Sequence, residues 1–312
     1  MPAGAARPAP QTTIYVVGDV MLDVVVEVTA PFSHASDTPS VISTSPGGAA
    51  ANQSVAMAHA GATVALLGVV GDDPFGDAAA AALRTEGVDV GLLIRTSRPT
   101  GVVVALVEPD GQRSMLTDRG ANLALDIAML EPLDARLEAR DHVHVSGYCL
   151  LDDASRAAGL HALEVARDRG ASTSVDASSA GPLRIVGADR FLGWVQGVDY
   201  LFCNEEEAGV LASRAEPSAI ARQLASRAGE VVVTLGAAGA LAATRDGKLH
   251  RTSASATAVG DTIGAGDSLT ATYLVRRLTG SSQDEALADA VRAAQRAVAR
   301  RGARDWSSYS RE

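Results

Sequence analysis

The sequence predicts an α/β protein with a mainly parallel central sheet, covered by helices, and with a small additional β-sheet. Strand-like and helix-like segments alternate along most of the 312 residues, which is typical of a parallel sheet covered on both faces. Apolar residues make up 47% of the chain and aromatic residues only 4%, a balance that favours Ala-rich helices packed closely on a sheet. Two strands without a helix, between Gly101 and Thr117, indicate the second sheet.

The first third of the chain supplies the start of this alternation. A β-branched run at Thr13 to Gly18 predicts a strand, and the apolar stretch Val24 to Val28 follows it at once. Residues 30–45 show no helical period. The predicted elements that follow are a helix at Ala49 to Ala60 closed by Gly61, a strand at Val64 to Val69, a helix at Pro74 to Thr85, and the hairpin around Pro109-Asp110-Gly111.

After Asn122 the alternation resumes and continues to the end of the chain. Strands are predicted at Val143 to Ser146, Ser172 to Val175, Tyr200 to Cys203 and Val231 to Leu235, with a hairpin of Leu241 to Thr244 and Leu249 to Thr252. Helices are predicted at Asp153 to Arg169, Glu205 to Ser213, Ser218 to Ala228, Gly264 to Leu278 and Gln283 to Arg301. With no internal repeat and no linker, we expect one domain at residues 13–312, after a disordered Ala/Pro-rich lead-in at residues 1–12.

Composition narrows the function classes. A net charge of −10 lacks the positive field that a general nucleic-acid binder needs. The chain has neither an apolar run of roughly 20 residues nor the pattern of a signal peptide, so no membrane span is predicted and the cytoplasm is the expected location. Cys149 and Cys203 show no metal-ligand spacing and are expected to be buried free thiols.

The segment Val259 to Leu274, VGDTIGAGDSLTATYL, carries the most chemistry. Gly264 and Gly266 allow a tight turn whose N–H groups can converge on an anion, and the helix that starts there adds unpaired N–H donors and a positive dipole. Phosphate suits such a site. Asp267 would repel an anion, so it suggests either a catalytic carboxylate or a simple helix N-terminal residue.

Four other segments place polar groups where parallel strands end or helices begin, the edge at which α/β proteins bind ligands. Each of them alone would be an ordinary turn or helix cap. They are GDVMLD at Gly18 to Asp23, PGGAAAN at Pro46 to Asn52, NEEEA at Asn204 to Ala208, and VTLGAAGAL at Val233 to Leu241.

Together these five motifs resemble the ribokinase-like (PfkB-type) carbohydrate kinases. GDVxxD, PGGxxAN, NEEEA, VTLGxxG and DTxGAGD occur in that family's order and approximate spacing, over a stretch from about Ile14 to Ala303. The resemblance implies the family's three-layer sandwich, with a mainly parallel central sheet and a small β-sheet lid formed near residues 24–45 and 101–117. It also implies ATP-dependent phosphorylation of a sugar hydroxyl, with ATP and Mg²⁺ as cofactors.

The same resemblance implies roles for individual residues. Asp267 would be the general base, and Gly264, Ala265 and Gly266 the anion hole. The remaining roles are sugar binding by Asp23, Gly47, Gly48 and Asn52, nucleotide binding by Asn204, Thr234, Gly236 and Gly239, and metal binding by Glu207, Asp261, Ile263 and Gly302, of which the last three belong to a potassium site. Lids of this kind often pair into homodimers, by analogy alone.

The substrate stays open at this stage. Ala49 and Ala50 stand where many ribokinases have a Lys, and Gly147-Tyr148 where they often place a Glu, which argues against ribose. Few aromatics near the lid favour a free pentose or ketohexose over a nucleoside. Arg113 and Arg119 either meet an anionic substrate, as in a sugar-acid or sugar-phosphate kinase, or are merely solvated.

Rival classes fit less well. The single lysine, Lys248, has no GxxxxGK[ST] context, so a P-loop is excluded, and no GxGxxG follows the first strand. A non-catalytic sugar sensor on the same fold is disfavoured because Asp267 and the GAGD motif are intact. His142 and His144 would point to one face of a strand, and we expect an exposed surface pair there rather than a metal site.

Overall fold

Two β-sheets organise the protein. The structure is a computed structural model that describes residues 12–108, 113–212, 216–255 and 264–299. The strands are β1 (Thr13–Val17), β2 (Met21–Val28), β3 (Ser40–Gly47), β4 (Thr63–Gly71), β5 (Asp89–Thr96), β6 (Gly101–Val107), β7 (Arg113–Asp118), β8 (His142–Ser146), β9 (Ser172–Asp176), β10 (Tyr200–Asn204), β11 (Glu230–Thr234), β12 (Ala240–Thr244) and β13 (Leu249–Thr252).

The helices lie between these strands and after them. They are α1 (Ala49–His59), α2 (Pro74–Thr85), α3 (Glu131–Arg136), α4 (Gly147–Leu151), α5 (Asp153–Arg169), α6 (Ala180–Val186), α7 (Ala188–Trp194), α8 (Glu205–Leu211), α9 (Pro217–Ala225), α10 (Ala265–Leu278) and α11 (Gln283–Val298). Short 3₁₀ turns at Gly120–Ala124, Ile127–Leu130 and Gly236–Ala238 complete the described elements.

The central sheet has nine strands in the order β13-β12-β11-β10-β9-β8-β1-β4-β5. From β11 to β5 all neighbours are parallel, and the β11–β12–β13 edge is antiparallel. Because the parallel strands run in one direction, their carboxyl ends meet along one edge of the sheet.

Each face of this sheet is covered by its own set of helices. One apolar core joins the sheet to α5 to α9, and the other joins it to α1, α2, α10 and α11. The layers are therefore helix, sheet and helix. Small side chains make much of the contact, for example Ala158, Ala162 and Ala166 on α5, all fully buried. The Ala-rich helices predicted from composition do pack closely on the sheet.

The second sheet has four strands in the order β3-β2-β6-β7. Strands β2 and β6 pair in parallel, and β3 and β7 flank them antiparallel. These strands come from the early segment and the mid-chain hairpin that the sequence indicated. The turn of that hairpin, residues 109–112, lies outside the described residues. We call this four-stranded sheet the lid sheet.

Several elements were not predicted. Strand β5 forms the edge of the central sheet beside β4, although its sequence, DVGLLIRT, lacks a strict alternation. Helices α3, α4, α6 and α7 have only five to seven residues, too short for a helical period to show. Helix α9, predicted at Ser218 to Ala228, spans Pro217–Ala225; it can start at Pro217 because proline at the first helical position needs no hydrogen-bond acceptor for its nitrogen.

Two smaller expectations have clear outcomes. Cys149 and Cys203 are free and buried, as predicted. Within the described ranges, no helix is both long and apolar enough to cross a membrane. The lead-in at residues 1–11 lies outside the described part of the chain.

Candidate active site

Polar side chains gather at the carboxyl edge of the central sheet. Asp176 is the last residue of β9, Asn204 the last of β10, and Thr234 the last of β11. In the strand register Asp176 lies beside Phe202, and Asn204 lies beside Thr234. Three neighbouring strands thus end in groups able to bind a polar ligand.

Helix α10 points its N-terminus at this edge. Gly264 precedes the helix with a φ of 75°, a left-handed conformation that glycine adopts without strain. Ala265, Gly266 and Asp267 form the first turn, where backbone N–H groups have no partner inside the helix. The glycine turn and the helix start are therefore where the sequence placed them, and anion binding by them stays a prediction. Asp261, Ile263 and Gly302, assigned to a potassium site, lie outside the described residues.

A cavity of about 160 Å³ lies between this helix and the strand ends. Its walls bring together five residues predicted from the sequence: Asn204, Glu207, Thr234, Gly266 and Asp267. Four further polar residues line it that had not been predicted, namely Gln53, Asp176, Ser178 and Thr270. We call it the carboxylate cavity, because three of its side chains carry a carboxyl group.

A larger cavity of about 590 Å³ borders the same helix turn. Asn52, Gly264 and Asp267 contribute to its wall, so Asp267 faces both cavities. The Asn52 amide oxygen is buried and finds no hydrogen-bond partner among the described residues. An unpaired buried oxygen is costly, so a hydrogen-bond donor is expected at this position.

The other predicted sugar-binding residues lie at the base of the lid sheet. Asp23 is on β2 and faces Gly47 closely: a Cβ on Gly47 would come 2.1 Å from Asp23 Oδ2. Gly48 has a φ of 95° and precedes α1, and a Cβ there would come 2.5 Å from the Asp19 carbonyl. Neither Asp23 nor these glycines line the two cavities in the described part of the chain.

Asn204 and Glu207 hold each other in place at the start of α8. The Asn204 Oδ1 accepts from the Glu207 N–H at 2.9 Å, and the Glu207 carboxylate accepts from the Asn204 N–H at 2.8 Å and from its amide nitrogen at 2.7 Å. This capping box leaves Glu207 only 3% exposed. The carboxylate is thus fixed against the carboxylate cavity.

Glu207 faces a second carboxylate, Asp176. Desolvation and then the Asp176 charge raise the pKa of Glu207, and the Asn204 N–H opposes this. Desolvation raises the pKa of Asp176 as well, against hydrogen bonds from the Ser178 N–H, the Gln53 amide and the Thr270 hydroxyl. Two such carboxylates in one cavity repel each other, and a bound cation would relieve the repulsion.

The glycine turn after β11 only partly reaches the carboxylate cavity. Thr234 lines the carboxylate cavity, but Gly236 and Gly239, predicted to contact a nucleotide, do not. Gly239 has a structural requirement of its own, because a Cβ there would fall 1.9 Å from the Thr252 carbonyl while its φ is 96°. Gly236 has open space around its α-carbon.

Two expectations about charged side chains were wrong. His142 and His144 do point to one face of β8, but both rings are fully buried rather than exposed, because α1 and α10 cover that face. Arg119 is not solvated, because its side chain is only 12% exposed. Its guanidinium bonds Asp19 at 2.7 and 2.9 Å and pairs with Asp152 at 3.1 Å. The Arg113 side chain lies outside the described part of the structure.

Asp176 is the main functional candidate that the sequence analysis missed. It closes a predicted strand, as Asn204 does, so the strand-end position was an available signal. It stands in SVDASSAG, without the neighbouring carboxylates that mark NEEEA.

Comparison with known proteins decides the family. The model of the pfkB family carbohydrate kinases matches residues 11–309. The chain belongs to the pfkB family of carbohydrate kinases. It is an ATP-dependent carbohydrate kinase, as the five motifs predicted.

Two sequence relatives cover most of this kinase. Ribokinase of Schizosaccharomyces pombe is 28% identical over 279 residues, covering 85% of this chain and 84% of that one. An ATP-dependent ribose-1-phosphate kinase of Halopiger xanaduensis is 31% identical over 259 residues, covering 83% and 82%.

Solved structures agree on the fold. The adenosine kinase of Sinorhizobium meliloti superposes with a TM-score of 0.82 at 25% identity, covering 95% of this chain and 97% of that one. An E. coli protein described as ribokinase II, in complex with ATP and Mg²⁺, has a TM-score of 0.82 at 21% identity, with 94% of each chain covered. The second likeness shows the fold alone. The predicted three-layer α/β architecture with a small extra sheet is confirmed.

Proposed function

We propose that this kinase transfers the γ-phosphoryl group of ATP to a hydroxyl of a free pentose or ketohexose. The observation that carries the proposal is the position of Asp267, which borders both cavities from the first turn of α10. The Asn52 amide oxygen, which is buried without a hydrogen-bond partner among the described residues, supports binding of a hydroxyl-bearing acceptor near the start of α1. Asn204, Glu207 and Thr234 on the other side support binding of the phosphate chain.

In this proposal the reaction is an in-line displacement. The acceptor oxygen forms a bond to the γ-phosphorus while the bond from that phosphorus to the β–γ bridging oxygen breaks, and ADP leaves. Asp267 accepts the proton of the attacking hydroxyl. The N–H groups at Gly264, Ala265 and Gly266 stabilise the negative charge on the transferred group.

Asp176 and Glu207 would hold Mg²⁺, directly or through water. The donor set fits, because Mg²⁺ prefers carboxylate oxygens and these two are held in one cavity with raised pKa values. The ion would neutralise charge on the ATP phosphates. Asn204 and Gln53 orient the two carboxylates through hydrogen bonds. The potassium site assigned to Asp261, Ile263 and Gly302 remains a prediction.

A panel of acceptors in a coupled ADP assay tests the substrate class. Free pentoses and ketohexoses are expected to give the highest kcat/KM. Turnover of nucleosides alone would contradict the sugar proposal and would indicate a nucleoside kinase. Nucleosides belong in the panel because the fold is similar to that of the Sinorhizobium meliloti adenosine kinase. Sugar phosphates and sugar acids belong in the panel because of the ribose-1-phosphate kinase relative. No ADP formation with any acceptor would favour a sugar sensor.

Gly47→Ala tests whether Asp23 binds the acceptor. The new methyl group would overlap the Asp23 carboxylate and turn it away from its present position. We expect the KM for the sugar to rise about 10-fold, because the loss of one or two hydrogen bonds costs about 1.4 kcal/mol of binding free energy. The KM for ATP should be unchanged. Gly181→Ala, where a Cβ meets nothing within 4 Å, is the matched control. An unchanged sugar KM in Gly47→Ala would argue against the role of Asp23.

We further propose that the lid sheet pairs two copies into a homodimer. Ile42 and Leu116, on its two outer strands, are 63 and 60% exposed and point to the same face of the lid sheet, so that face presents large apolar side chains to solvent. Ile42→Asp is expected to shift the protein from dimer to monomer in light scattering, whereas Ile185→Asp, at an exposed apolar residue on α6, is not. A wild-type monomer at micromolar concentration would contradict the proposal.

A further inference from the structure

A continuous line of hydrogen bonds runs under helix α1 and ends at the Asp176 carboxylate. Each of its five contacts measures 2.7 Å between heavy atoms. In order, it links the Ser172 hydroxyl, the His142 ring, the Ser174 hydroxyl, the His144 ring, the Gln53 amide and Asp176. We call these six residues the buried ladder.

Strand geometry produces the ladder. Side chains two residues apart on a strand point to the same face, and the parallel register of β8 and β9 pairs His142 with Ser172 and His144 with Ser174. His142, His144 and Ser174 are fully buried, and Gln53 is 1% exposed. The ladder therefore lies between the sheet and α1, with its last residue in the carboxylate cavity.

The chemistry of its members gives the ladder one direction. The Gln53 amide nitrogen can only donate, and Asp176 Oδ2 accepts from it, so the Gln53 oxygen faces His144. That oxygen can only accept, so His144 carries its proton on Nε2. Burial lowers the pKa of His144 to about 3, so the ring is neutral and its Nδ1 accepts from Ser174.

The same logic continues to the far end. The Ser174 hydroxyl has used its proton on His144, so its oxygen accepts from His142 Nε2–H. Burial also lowers the pKa of His142, and its Nδ1 accepts from the Ser172 hydroxyl. This arrangement satisfies every ring nitrogen, and the contact of Gln53 with Asp176 selects it over the reverse one. The opposite arrangement would point the Gln53 oxygen at the Asp176 carboxylate, which is repulsive.

We propose that Gln53 is a positioning residue for Asp176. His144, held as its Nε2–H tautomer, keeps the Gln53 amide from rotating by 180° and exchanging its oxygen and nitrogen positions. This inference rests on the proposed function of Asp176 as a holder of Mg²⁺. Gln53 follows Asn52 on α1, and the two side chains line different cavities. The start of α1 thus carries Asn52, proposed to bind the acceptor, next to Gln53, which contacts the proposed Mg²⁺ holder Asp176.

Nuclear magnetic resonance of the ring nitrogens tests the direction of the ladder without any turnover. We expect both His142 and His144 to be neutral Nε2–H tautomers from about pH 5 to about pH 9, a range in which an exposed histidine titrates. A proton on His144 Nδ1, or a titration of either ring in this range, would overturn the assignment.

Gln53→Met tests the consequence for Asp176. The thioether fills a similar volume but cannot donate, so Asp176 loses one of its fixed partners. We expect about 10-fold more Mg²⁺ to be needed for half of the Mg²⁺-induced rise in melting temperature, the scale found when an outer partner of a metal ligand is removed. Ser54→Ala, at the next buried residue of α1, should leave this Mg²⁺ dependence unchanged.

A double variant separates positioning from simple stability. In Gln53→Met the His144 Nε2–H is left buried without an acceptor, which lowers stability. Gln53→Met/His144→Leu removes that donor as well, and the Ser174 hydroxyl can donate to His142 instead once that ring carries its proton on Nδ1. The melting temperature without Mg²⁺ should therefore recover at least in part while the weakened Mg²⁺ response persists. If the Mg²⁺ response recovered together with stability, or never changed, the positioning role would be wrong.

These measurements do not depend on the acceptor. If no sugar or nucleoside were phosphorylated, the proposed function would fail while the tautomer and the Mg²⁺ response could still be read. If turnover were found but Gln53→Met responded to Mg²⁺ like the wild type, only the ladder proposal would fail.

Discussion

Asp267→Asn is expected to lower kcat by about 10²-fold or more, the usual scale for loss of a general base. The asparagine amide has almost the same size as the carboxylate but cannot take the proton of the attacking hydroxyl. Folding should change little, since an acidic residue in the first turn of a helix contributes at most about 1 kcal/mol. The KM for ATP should stay within a factor of a few.

The matched control for this variant is Asp77→Asn. Asp77 also lies in the first turn of a helix, α2, and pairs with Arg95 at a distance of 2.7 Å. It lines neither cavity. Steady-state kinetics of both variants, with melting temperatures, would show whether activity depends on Asp267 itself or on helix charge. A near-normal kcat in Asp267→Asn would remove the role of base from this residue.

Glu207→Gln is expected to reduce activity by about 10- to 100-fold at limiting Mg²⁺, with a smaller loss at saturating Mg²⁺. The glutamine oxygen can still accept from the Asn204 N–H, so much of the cap at the start of α8 survives. Glu206→Gln is the control, because Glu206 lies in the same helical turn but is exposed and pairs with Arg184.

The pH dependence of stability without Mg²⁺ gives an independent measurement of Glu207. Its pKa is raised above the ordinary glutamate value of 4.5, first by desolvation and then by Asp176. Between those two pKa values the folded state binds more protons than the unfolded state, so the free energy of unfolding falls as pH rises through that window. Chemical denaturation should show a shallower fall in Glu207→Gln. In the wild type, added Mg²⁺ should flatten the fall, and an equally steep fall in Glu207→Gln would contradict the assignment.

The lid sheet and the central sheet were predictable from the sequence for a simple reason. Turn residues and the absence of a helix after Gly101 are local signals, and the motif DTIGAGDS carries the start of α10 in its own glycines. Strand β5 and the short helices were missed because their formation depends on what they pack against.

The candidate site, too, contains features that local sequence signals predicted and features that only the packing of the chain decided. NEEEA predicted a capped helix start at Asn204, and the capping box is present. That Glu207 would face Asp176 could not be predicted, because it depends on β9 and β10 being neighbours in the sheet. The burial of His142 and His144 was likewise decided by α1 and α10, which lie far from them in the chain.

The sequence alone predicted the α/β class and, through the resemblance of five motifs to the pfkB family, the family and the candidate base Asp267, because each motif is a short run of residues that can be read without the fold. Only the tertiary structure decided which strand ends meet, which carboxylates share a cavity, and that the ladder from Ser172 through Gln53 ends on Asp176. The physical reason is that burial and hydrogen-bond partners are properties of neighbours in space, and residues such as Gln53 and Asp176, separated by 123 positions, become neighbours only in the folded chain.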